Sequence, residues 1–189
     1  MTIPARRYVL GWSLLALLAV AGGCFADRPA AQPERTLFAF EDAAELDRLH
    51  WQCGTFMEQD VRHATAGRYS LRVEMYPSAE YPGFKAGITR GWQGYKKLLV
   101  DIYHPGAAEM QLAYRIDDRD DNPPHEDRAN GRIVLQPGAN IVSLDLENLK
   151  TSGSDRRLDL TRIRGLYLFV HRPPQPVILY LDQLRLVNE

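Results

Sequence analysis

From Thr36 onward, hydrophobic and polar residues mostly alternate with a period of two, between short groups of turn-forming residues. Alternation of this kind is typical of β-strands with one buried face. Turn-forming motifs such as "HPG", "QPG" and "RPP" separate the segments. The pattern predicts strands at 36–40, 69–76, 84–90, 97–103, 110–117, 131–136, 140–146, 165–171 and 177–186, with a tenth at 50–59.

Helical periodicity is confined to three short stretches, at 42–49, 91–97 and 158–163, each long enough for a turn or two. A chain of many short strands with turn signals between them favours an all-β fold of two packed antiparallel sheets. We therefore predict a β-sandwich of the jelly-roll type with a few helical turns. It forms one domain over residues 36–189.

Two neighbouring strands are predicted to pair as a hairpin, because only a short "HPGAAE" loop separates 97–103 from 110–117. Their aliphatic positions would then share the inward face. The alternate positions would form one polar and aromatic outer face. That predicted face carries Asp101, Tyr103, Gln111, Arg115 and Asp117.

The order of motifs along the chain, "FED", "GRYSLRVEM", "GWQGYKKLLVDIYHP", "LAYRIDD", "LQPGANIVSLDL" and "LYLDQLRL", resembles the galactose-binding-like jelly rolls. This family includes many carbohydrate-binding modules of bacterial polysaccharide hydrolases, and the resemblance covers residues 37–187. It implies carbohydrate bound on one face or at a loop rim. It also implies a structural calcium ion near the chain ends, for which Glu41 and Asp182 are the hard oxygen ligands. Relatives with this fold also bind proteins, so the fold leaves the function open.

The acidic stretch "AYRIDDRDDNPPHEDR" follows the predicted outer face. An EF-hand loop is excluded, because proline replaces the required glycine and Ala129 stands where the bidentate glutamate belongs. A solvated loop with internal ion pairs, a calcium site of another kind and a sugar-contacting rim all stay open. In the last interpretation, Asp118 contacts the ligand beside Arg115 and Asp117.

Catalysis is the less favoured alternative. A glycoside hydrolase needs two carboxyl groups about 5 Å apart or about 6.5–9.5 Å apart, one of them with a raised pKa. The arginines next to this acidic cluster favour lowered carboxyl pKa values instead. The five histidines show no zinc-ligand spacing.

A second group of outward positions is aromatic. Tyr103, Tyr167, Phe169 and His171 alternate out of phase with the buried aliphatic residues of their strands. Outward aromatic rings suit stacking on the apolar face of a sugar. A sheet covered by a loop or by a partner explains them equally well. We count Tyr167 and His171 among the candidate ligand contacts.

The N-terminus has the features of an export signal. Two arginines precede the uncharged run "YVLGWSLLALLAVAGG", which is shorter than the roughly 20 residues of a membrane span. The run ends in "AGGC", which resembles the bacterial lipoprotein cleavage box. We predict a signal peptide over 1–23, lipid on Cys24 and a Pro-rich tether over 24–35, with cleavage after Ala26 as the alternative. The protein is then exported, as an outer-membrane, cell-surface or periplasmic lipoprotein whose only membrane contact is its lipid.

The charge of the chain narrows the function further. Lys and Arg number 23 and Asp and Glu 24, for a net charge of −1, with no basic block of the kind that binds nucleic acid. The leading hypothesis is non-catalytic binding of a polysaccharide. The alternative is a structural or assembly lipoprotein that uses the same face for a protein partner. A jelly-roll glycosidase is the third.

Lipid anchoring gives the first testable prediction. Cys24→Ser removes the acylated thiol, and acyl chains contribute about 0.8 kcal/mol for each buried methylene. We expect the variant to move from the membrane fraction to the soluble fraction on cell fractionation. Equal membrane association of the variant and the wild type would contradict lipidation at Cys24.

Overall fold

The alternating segments form eleven strands in residues 34–120 and 122–188, the part of the chain that the computed structural model describes. The predicted signal peptide, Cys24 and nearly all of the predicted tether lie outside the described residues. The strands are β1 Arg35–Phe38, β2 Leu49–Trp51, β3 Thr55–Asp60, β4 Ser70–Met75, β5 Gly83–Gly87, β6 Lys97–His104, β7 Met110–Asp117, β8 Ala129–Leu135, β9 Gly138–Asp145, β10 Gly165–Phe169 and β11 Val177–Val187.

The strands form two antiparallel sheets. Sheet A has the order β3-β4-β11-β6-β9, with β1 also paired to β11. Sheet B has the order β2-β5-β10-β7-β8. Neighbours in sequence are mostly separated in space, as jelly-roll connections require. The predicted all-β jelly-roll sandwich is confirmed.

The core lies between the two sheets and consists of the inward aliphatic and aromatic residues of their strands. Sheet A contributes residues that include Leu71, Val73, Leu98, Val100, Ile102, Leu179 and Leu181. Sheet B contributes residues that include Phe84, Ala86, Leu112, Ile116, Leu166 and Leu168. Each is at most 4% exposed, which matches the predicted inward positions. The opposite face of each sheet therefore carries the polar residues of the same strands.

Helical structure is sparse. A 3-10 helix at Ala43–Arg48 matches the predicted helical turn, and its first turn is capped by Asp42, whose Oδ1 accepts from the Ala44 N–H at 2.9 Å. A second 3-10 helix, His125–Asp127, follows the two prolines of the acidic stretch. The predicted turns at 91–97 and 158–163 are non-helical.

Within the described ranges, no helix has the length and apolar character that crossing a bilayer requires.

The predicted strand at 50–59 is two strands in different sheets. The chain leaves β2 in sheet B, turns at Gly54 with φ of +74° and enters β3 in sheet A. A positive φ is readily adopted by glycine, so Gly54 breaks the strand.

The predicted hairpin of β6 and β7 is wrong. β6 lies in sheet A between β11 and β9, and β7 lies in sheet B between β10 and β8. The link between them crosses from one sheet to the other around the buried ring of His104. Its Nδ1 accepts from the Gly106 N–H at 3.3 Å, and its Nε2 contacts the Ala108 carbonyl oxygen at 2.9 Å. Hydrogen bonds of the His104 ring within the link thus take the place of the backbone hydrogen bonds that would pair β6 with β7 in a hairpin.

This crossing divides the predicted outer face between the two sheets. Asp101 and Tyr103 lie on the outside of sheet A. Gln111 and Arg115 lie on the outside of sheet B, with Asp117 at the end of the same strand. The inward and outward assignments hold in each strand, because alternation within a strand does not depend on its partner.

Candidate functional site

The outer face of sheet B carries a row of polar side chains that runs across all five strands. Consecutive strand pairings place these residues side by side. The row consists of His50, Lys85, Tyr167, Arg115 and Asn130. Their inward neighbours, among them Ala86, Ile116 and Leu166, are buried in the core. Period-two alternation is what assembles this row.

A cleft of about 720 Å³ lies on this face, and we call it the sheet B cleft. Its size falls in the range of small-ligand sites, which is about 300–1,000 Å³. Its lining comes from three strands and from the loops around them: Gln52, Tyr81, Ala113, Tyr114, Arg115, His125, Arg128, Asn130, Gly131, Arg132, Ser152, Phe169 and His171.

The floor of the cleft includes Phe169 and Ala113. Phe169 on β10 pairs with Ala113 on β7 and with Gly83 on β5. A Cβ on residue 83 would lie 2.5 Å from the Phe169 Cβ. Glycine is therefore required there for Phe169 to keep its position, and small residues flank the ring on both sides.

One end of the cleft is aromatic. Tyr81, in the connection before β5, packs edge-on against Phe169 with ring centroids 5.9 Å apart. The same ring stacks on His171 at 5.0 Å and an interplanar angle of 23°. Tyr81 is 47% exposed, so much of its surface remains accessible to a ligand. Such rings supply large apolar contact areas with little loss of conformational freedom.

The other end is built on Arg115. Its Nε donates to both oxygens of Asp117, at 2.8 and 3.0 Å, and its Nη2 donates to the Asn122 Oδ1 at 2.9 Å. The guanidinium carbon lies 4.4 Å from the centre of the Tyr167 ring. Asp117 is 3% exposed, so it binds Arg115 from a buried position below the cleft surface. This forked contact and the aromatic ring fix the orientation of Arg115.

Asp118 secures the rim of the cleft. Its two oxygens accept from Arg156 Nη1 at 2.6 Å and Nη2 at 2.9 Å, and the Asp159 N–H also donates to it at 2.7 Å. Arg156 also binds Asp127, so it joins the acidic stretch to the loop after β9. Burial raises the pKa of Asp118, but hydrogen bonds from Arg156 and from the Asp159 amide outweigh it and leave the pKa lowered.

The acidic stretch is therefore an ion-paired rim in the part that the structure describes. Asp117 and Asp118 support arginines, and the pKa of Asp118 is lowered, whereas a catalytic acid needs a raised pKa. No Asp or Glu is among the described residues that line the sheet B cleft. The geometry gives no support to the glycosidase alternative.

Asp101 and Tyr103 contact the loop that joins β3 to β4. Asp101 accepts from Thr65 Oγ1 at 2.7 Å and from Arg185 Nη1 at 2.9 Å. The Tyr103 ring is covered by His63, with centroids 3.5 Å apart and planes 11° apart. For Tyr103, the structure favours the covering loop over an open sugar platform.

Glu41 and Asp182 reach that same loop. The Glu41 Oε1 accepts from the Arg68 and Tyr69 N–H groups, both at 2.8 Å. The Asp182 Oδ2 accepts from the Thr65 N–H at 2.7 Å. Among the described residues, no group of three or more Asp, Glu, His or Cys side chains gathers around a common point. N–H groups face the carboxylates, and an ion would have to displace them, so calcium binding here stays a prediction.

The predicted ligand contacts thus separate into three groups. Arg115 and His171 line the sheet B cleft, while Tyr167 and Gln111 adjoin it, Tyr167 through Arg115 and Gln111 through Arg132. Asp117 and Asp118 lie buried behind the cleft. Asp101 and Tyr103 lie on the other sheet.

Several residues of this face were not predicted from the sequence: Tyr81, His125, Arg128, Asn130 and Arg132 line the cleft, and Lys85 lies beside it. Lys85 and Arg132 occupy outward positions of predicted strands, so alternation contained a usable signal for both. Tyr81 and His125 lie in loops, whose position follows from the fold and not from a local pattern.

Comparison with known proteins finds no matching family model and no matching curated sequence. The fold has clear counterparts among solved structures. The family 11 carbohydrate-binding module from Clostridium thermocellum, in complex with a β-1,3-1,4-mixed-linked tetrasaccharide, has a TM-score of 0.63 at 14% identity, over 82% of this chain and 95% of that chain. The C-terminal family 22 module of Clostridium thermocellum Xyn10B has a TM-score of 0.51 at 13% identity, over 81% and 94%.

An exo-β-agarase has a TM-score of 0.60 at 18% identity, over 82% of this chain but 25% of that chain. The likeness therefore concerns one part of that enzyme. At sequence identities of 13–18%, these similarities show a shared fold. The protein has the jelly-roll β-sandwich that carbohydrate-binding modules share.

The rim gives a prediction on stability. Asp118→Asn removes the carboxylate from a buried contact with Arg156. We expect it to lower the free energy of unfolding by about 2–3 kcal/mol at neutral pH, the value of hydrogen bonds to a charged group. The matched control is Asp155→Asn, because Asp155 is 78% exposed and pairs with Lys150. That change should cost at most about 1 kcal/mol.

The effect of Asp118→Asn should also depend on pH. The folded-state pKa of Asp118 is lowered, so its carboxylate stabilises the fold fully above the ordinary value of about 3.9. The stabilisation is lost as pH falls through the folded-state pKa. Urea unfolding at several pH values should show the wild type and the variant converging below about pH 4. A constant difference down to low pH would contradict this role.

The calcium prediction is tested by thermal melting. An ion that binds only the folded state adds about 2.7 kcal/mol at a hundred times its dissociation constant. Calcium should then raise the melting temperature of the wild type, and Asp182→Asn should abolish that rise. Identical melting with calcium and with a chelator would leave hydrogen bonding to the loop as the role of both carboxylates.

Proposed function

We propose that this domain binds carbohydrate, without catalysis, in the sheet B cleft. The observation that carries the proposal is the combination of an aromatic end at Tyr81, Phe169 and His171 with a polar end at Arg115 and Asn130. Ligand sites typically pair an apolar lining with a few polar groups that set orientation. This cleft has both along one face.

The two ends suit the two surfaces of a sugar ring. The aromatic rings of Phe169 and of the exposed Tyr81 match the apolar C–H face of a pyranose. Arg115 offers planar N–H groups to the hydroxyls at the ring edge, and Asp117 holds it in place. Because Arg115 is already positioned, little conformational freedom is lost on binding.

The comparisons support the same class of ligand. Carbohydrate-binding modules of families 11 and 22 share the fold over most of their length. One of them was solved with a bound tetrasaccharide. The residues that line the cleft support carbohydrate binding independently of these comparisons.

The cell location is part of the proposal and rests on the sequence. The "AGGC" motif after an apolar run supports export and lipid attachment at Cys24. The Pro-rich segment that follows would hold the domain off the membrane surface. The domain would then bind glycans outside the cytoplasm, at the cell surface or in the periplasm.

A protein partner on the same face is the competing function, and binding experiments separate the two. A glycan that competes for the cleft supports the proposal. If the folded domain binds none of the glycans tested, the structural or assembly role is favoured.

The aromatic end gives the next prediction. Tyr81→Ala and Phe169→Ala remove apolar contact area, and we expect each to weaken binding of the preferred oligosaccharide by about 1–3 kcal/mol. The control is Phe56→Ala on sheet A, because Phe56 is 48% exposed and Tyr81 is 47% exposed. Isothermal titration calorimetry measures affinity, and a melting curve confirms folding. Unchanged affinity in both cleft variants would place the ligand elsewhere.

A further inference from the structure

The sheet B cleft is locally rich in cations. Its cations are Arg115, Arg128 and Arg132. The lining holds no Asp or Glu among the described residues. The whole chain has 24 acidic side chains against 23 Lys and Arg. The positive charge is therefore concentrated at the cleft rather than being a property of a basic protein.

Two of these arginines contact only neutral acceptors in the part of the chain described. Arg128 donates through Nε to the Pro123 carbonyl oxygen and through Nη2 to the Asn122 Oδ1 at 3.1 Å. Arg132 donates to the Gln111 Oε1 at 3.4 Å. Neither forms an ion pair with a described carboxylate. Their charges are thus available to a ligand.

Lys85 adds a third such cation beside the cleft. Its Nζ lies 5.5 Å from the centre of the Tyr167 ring, on the opposite side of that strand from Arg115. No described carboxylate forms an ion pair with Lys85. A Tyr ring stabilises a nearby cation without neutralising its charge.

Two carboxylates near the cleft are already paired. Asp117 is bound by Arg115, with Nη2 to Oδ2 at 2.5 Å. Glu80, at the aromatic end, is bound by Arg172 at 2.7 Å and lies 3.7 Å from His171. Neither forms an ion pair with Arg128, Arg132 or Lys85, although the negative charges of Asp117 and Glu126 partly stabilise the Arg128 cation.

The environment of Arg128 agrees with an incomplete charge balance. Burial lowers the pKa of Arg128 and the positive charge of Arg115 lowers it further, and together they outweigh the opposite effects of Asp117, Tyr167 and Glu126. Both effects mean that its cation is less favourable here than in water. An anionic group bound between the two arginines would offset that penalty.

The spacing of the cations favours a polymer. Lys85 is on β5 and Arg132 on β8, three strand intervals apart in the sheet order. At about 4.8 Å for each interval, the two strands lie roughly 14 Å apart, and the two residues are also offset by two positions along them. The distance exceeds the size of a single phosphate or carboxylate. Anionic groups repeated along a chain match it better.

We infer that the sheet B cleft selects anionic polysaccharides, whose uronate carboxylates or sulfate esters are bound by Lys85, Arg128 and Arg132. This inference rests on the carbohydrate binding proposed above. Guanidinium groups bind both kinds of oxyanion through paired N–H donors, so carboxylate and sulfate share the chemistry. The aromatic floor would hold the sugar rings between the charged groups.

The experiment begins with the mature domain on an array of neutral, uronate-containing and sulfated polysaccharides. We expect preference for the anionic members, and the uronate and sulfate arms identify the anion. The best binder is then titrated at about 0.05 M and about 1 M salt, where the Debye length falls to about 3 Å. Anionic binding should weaken by about tenfold or more.

Variants test whether the cleft cations are responsible. Arg132→Gln and Lys85→Gln should each weaken binding of the anionic glycan by roughly tenfold, because each removes a charge-assisted contact. Lys97→Gln is the control, since it removes one positive charge from exposed Lys97 on sheet A. It should change affinity less than about twofold. Arg128 is left intact because it also holds the rim backbone.

The outcomes separate this inference from the proposed function. Binding of neutral glycans alone would overturn the anionic preference and leave carbohydrate binding in place. Anionic binding that is insensitive to salt, to Arg132→Gln and to Lys85→Gln would overturn it as well. Silence toward every glycan, with the domain shown to be folded, would refute carbohydrate binding and the inference together.

Discussion

The burial of one face of each sheet against the other is the constraint on which the rest of this structure depends. Leu112 and Ile116 of sheet B pack in the same core as Val100 and Ile102 of sheet A, and all four are nearly inaccessible to solvent. Apolar burial contributes about 25 cal/mol for each Å² removed from water. Once these residues point inward, the residues between them must point outward. The row from His50 through Arg115 to Asn130 is a consequence of core packing.

Buried ion pairs convert that exposed row into a shaped cleft. Asp117 and Asp118 follow each other in the chain, yet one holds Arg115 from beneath and the other holds Arg156 at the rim. Removing one partner from such a pair leaves an uncompensated charge, which is strongly destabilising. The same contacts therefore stabilise the loops and fix the orientation of Arg115, which lines the sheet B cleft. Asp117 and Asp118 thus serve the stability of the fold and, in the proposed function, ligand binding as well.

The two outer faces of the sandwich differ in how they are used. On sheet A the loop between β3 and β4 lies over Tyr103 and Asp101 through His63 and Thr65. Glu41 and Asp182 hold the backbone of that loop. On sheet B the loops contribute to the lining of the cleft and leave its face open. The aromatic residues there remain available, which is why the cleft is on this side.

The sequence by itself determined the class of fold, most of the strands and, within each strand, which residues face the core. Leu112 and Ile116 were predicted inward and Arg115 outward, because alternation is a local property of an extended backbone. It also singled out Arg115, Tyr167 and His171. Only the tertiary structure decided which strands are neighbours. β6 pairs with β11 and β9, whereas β7 pairs with β10 and with the next strand, β8, and that choice separated Asp101 and Tyr103 from Arg115. Loop residues such as Tyr81 and His125 were likewise placed by the fold. Strand partnership depends on the packing of the whole core, whereas alternation depends on the backbone of a single strand.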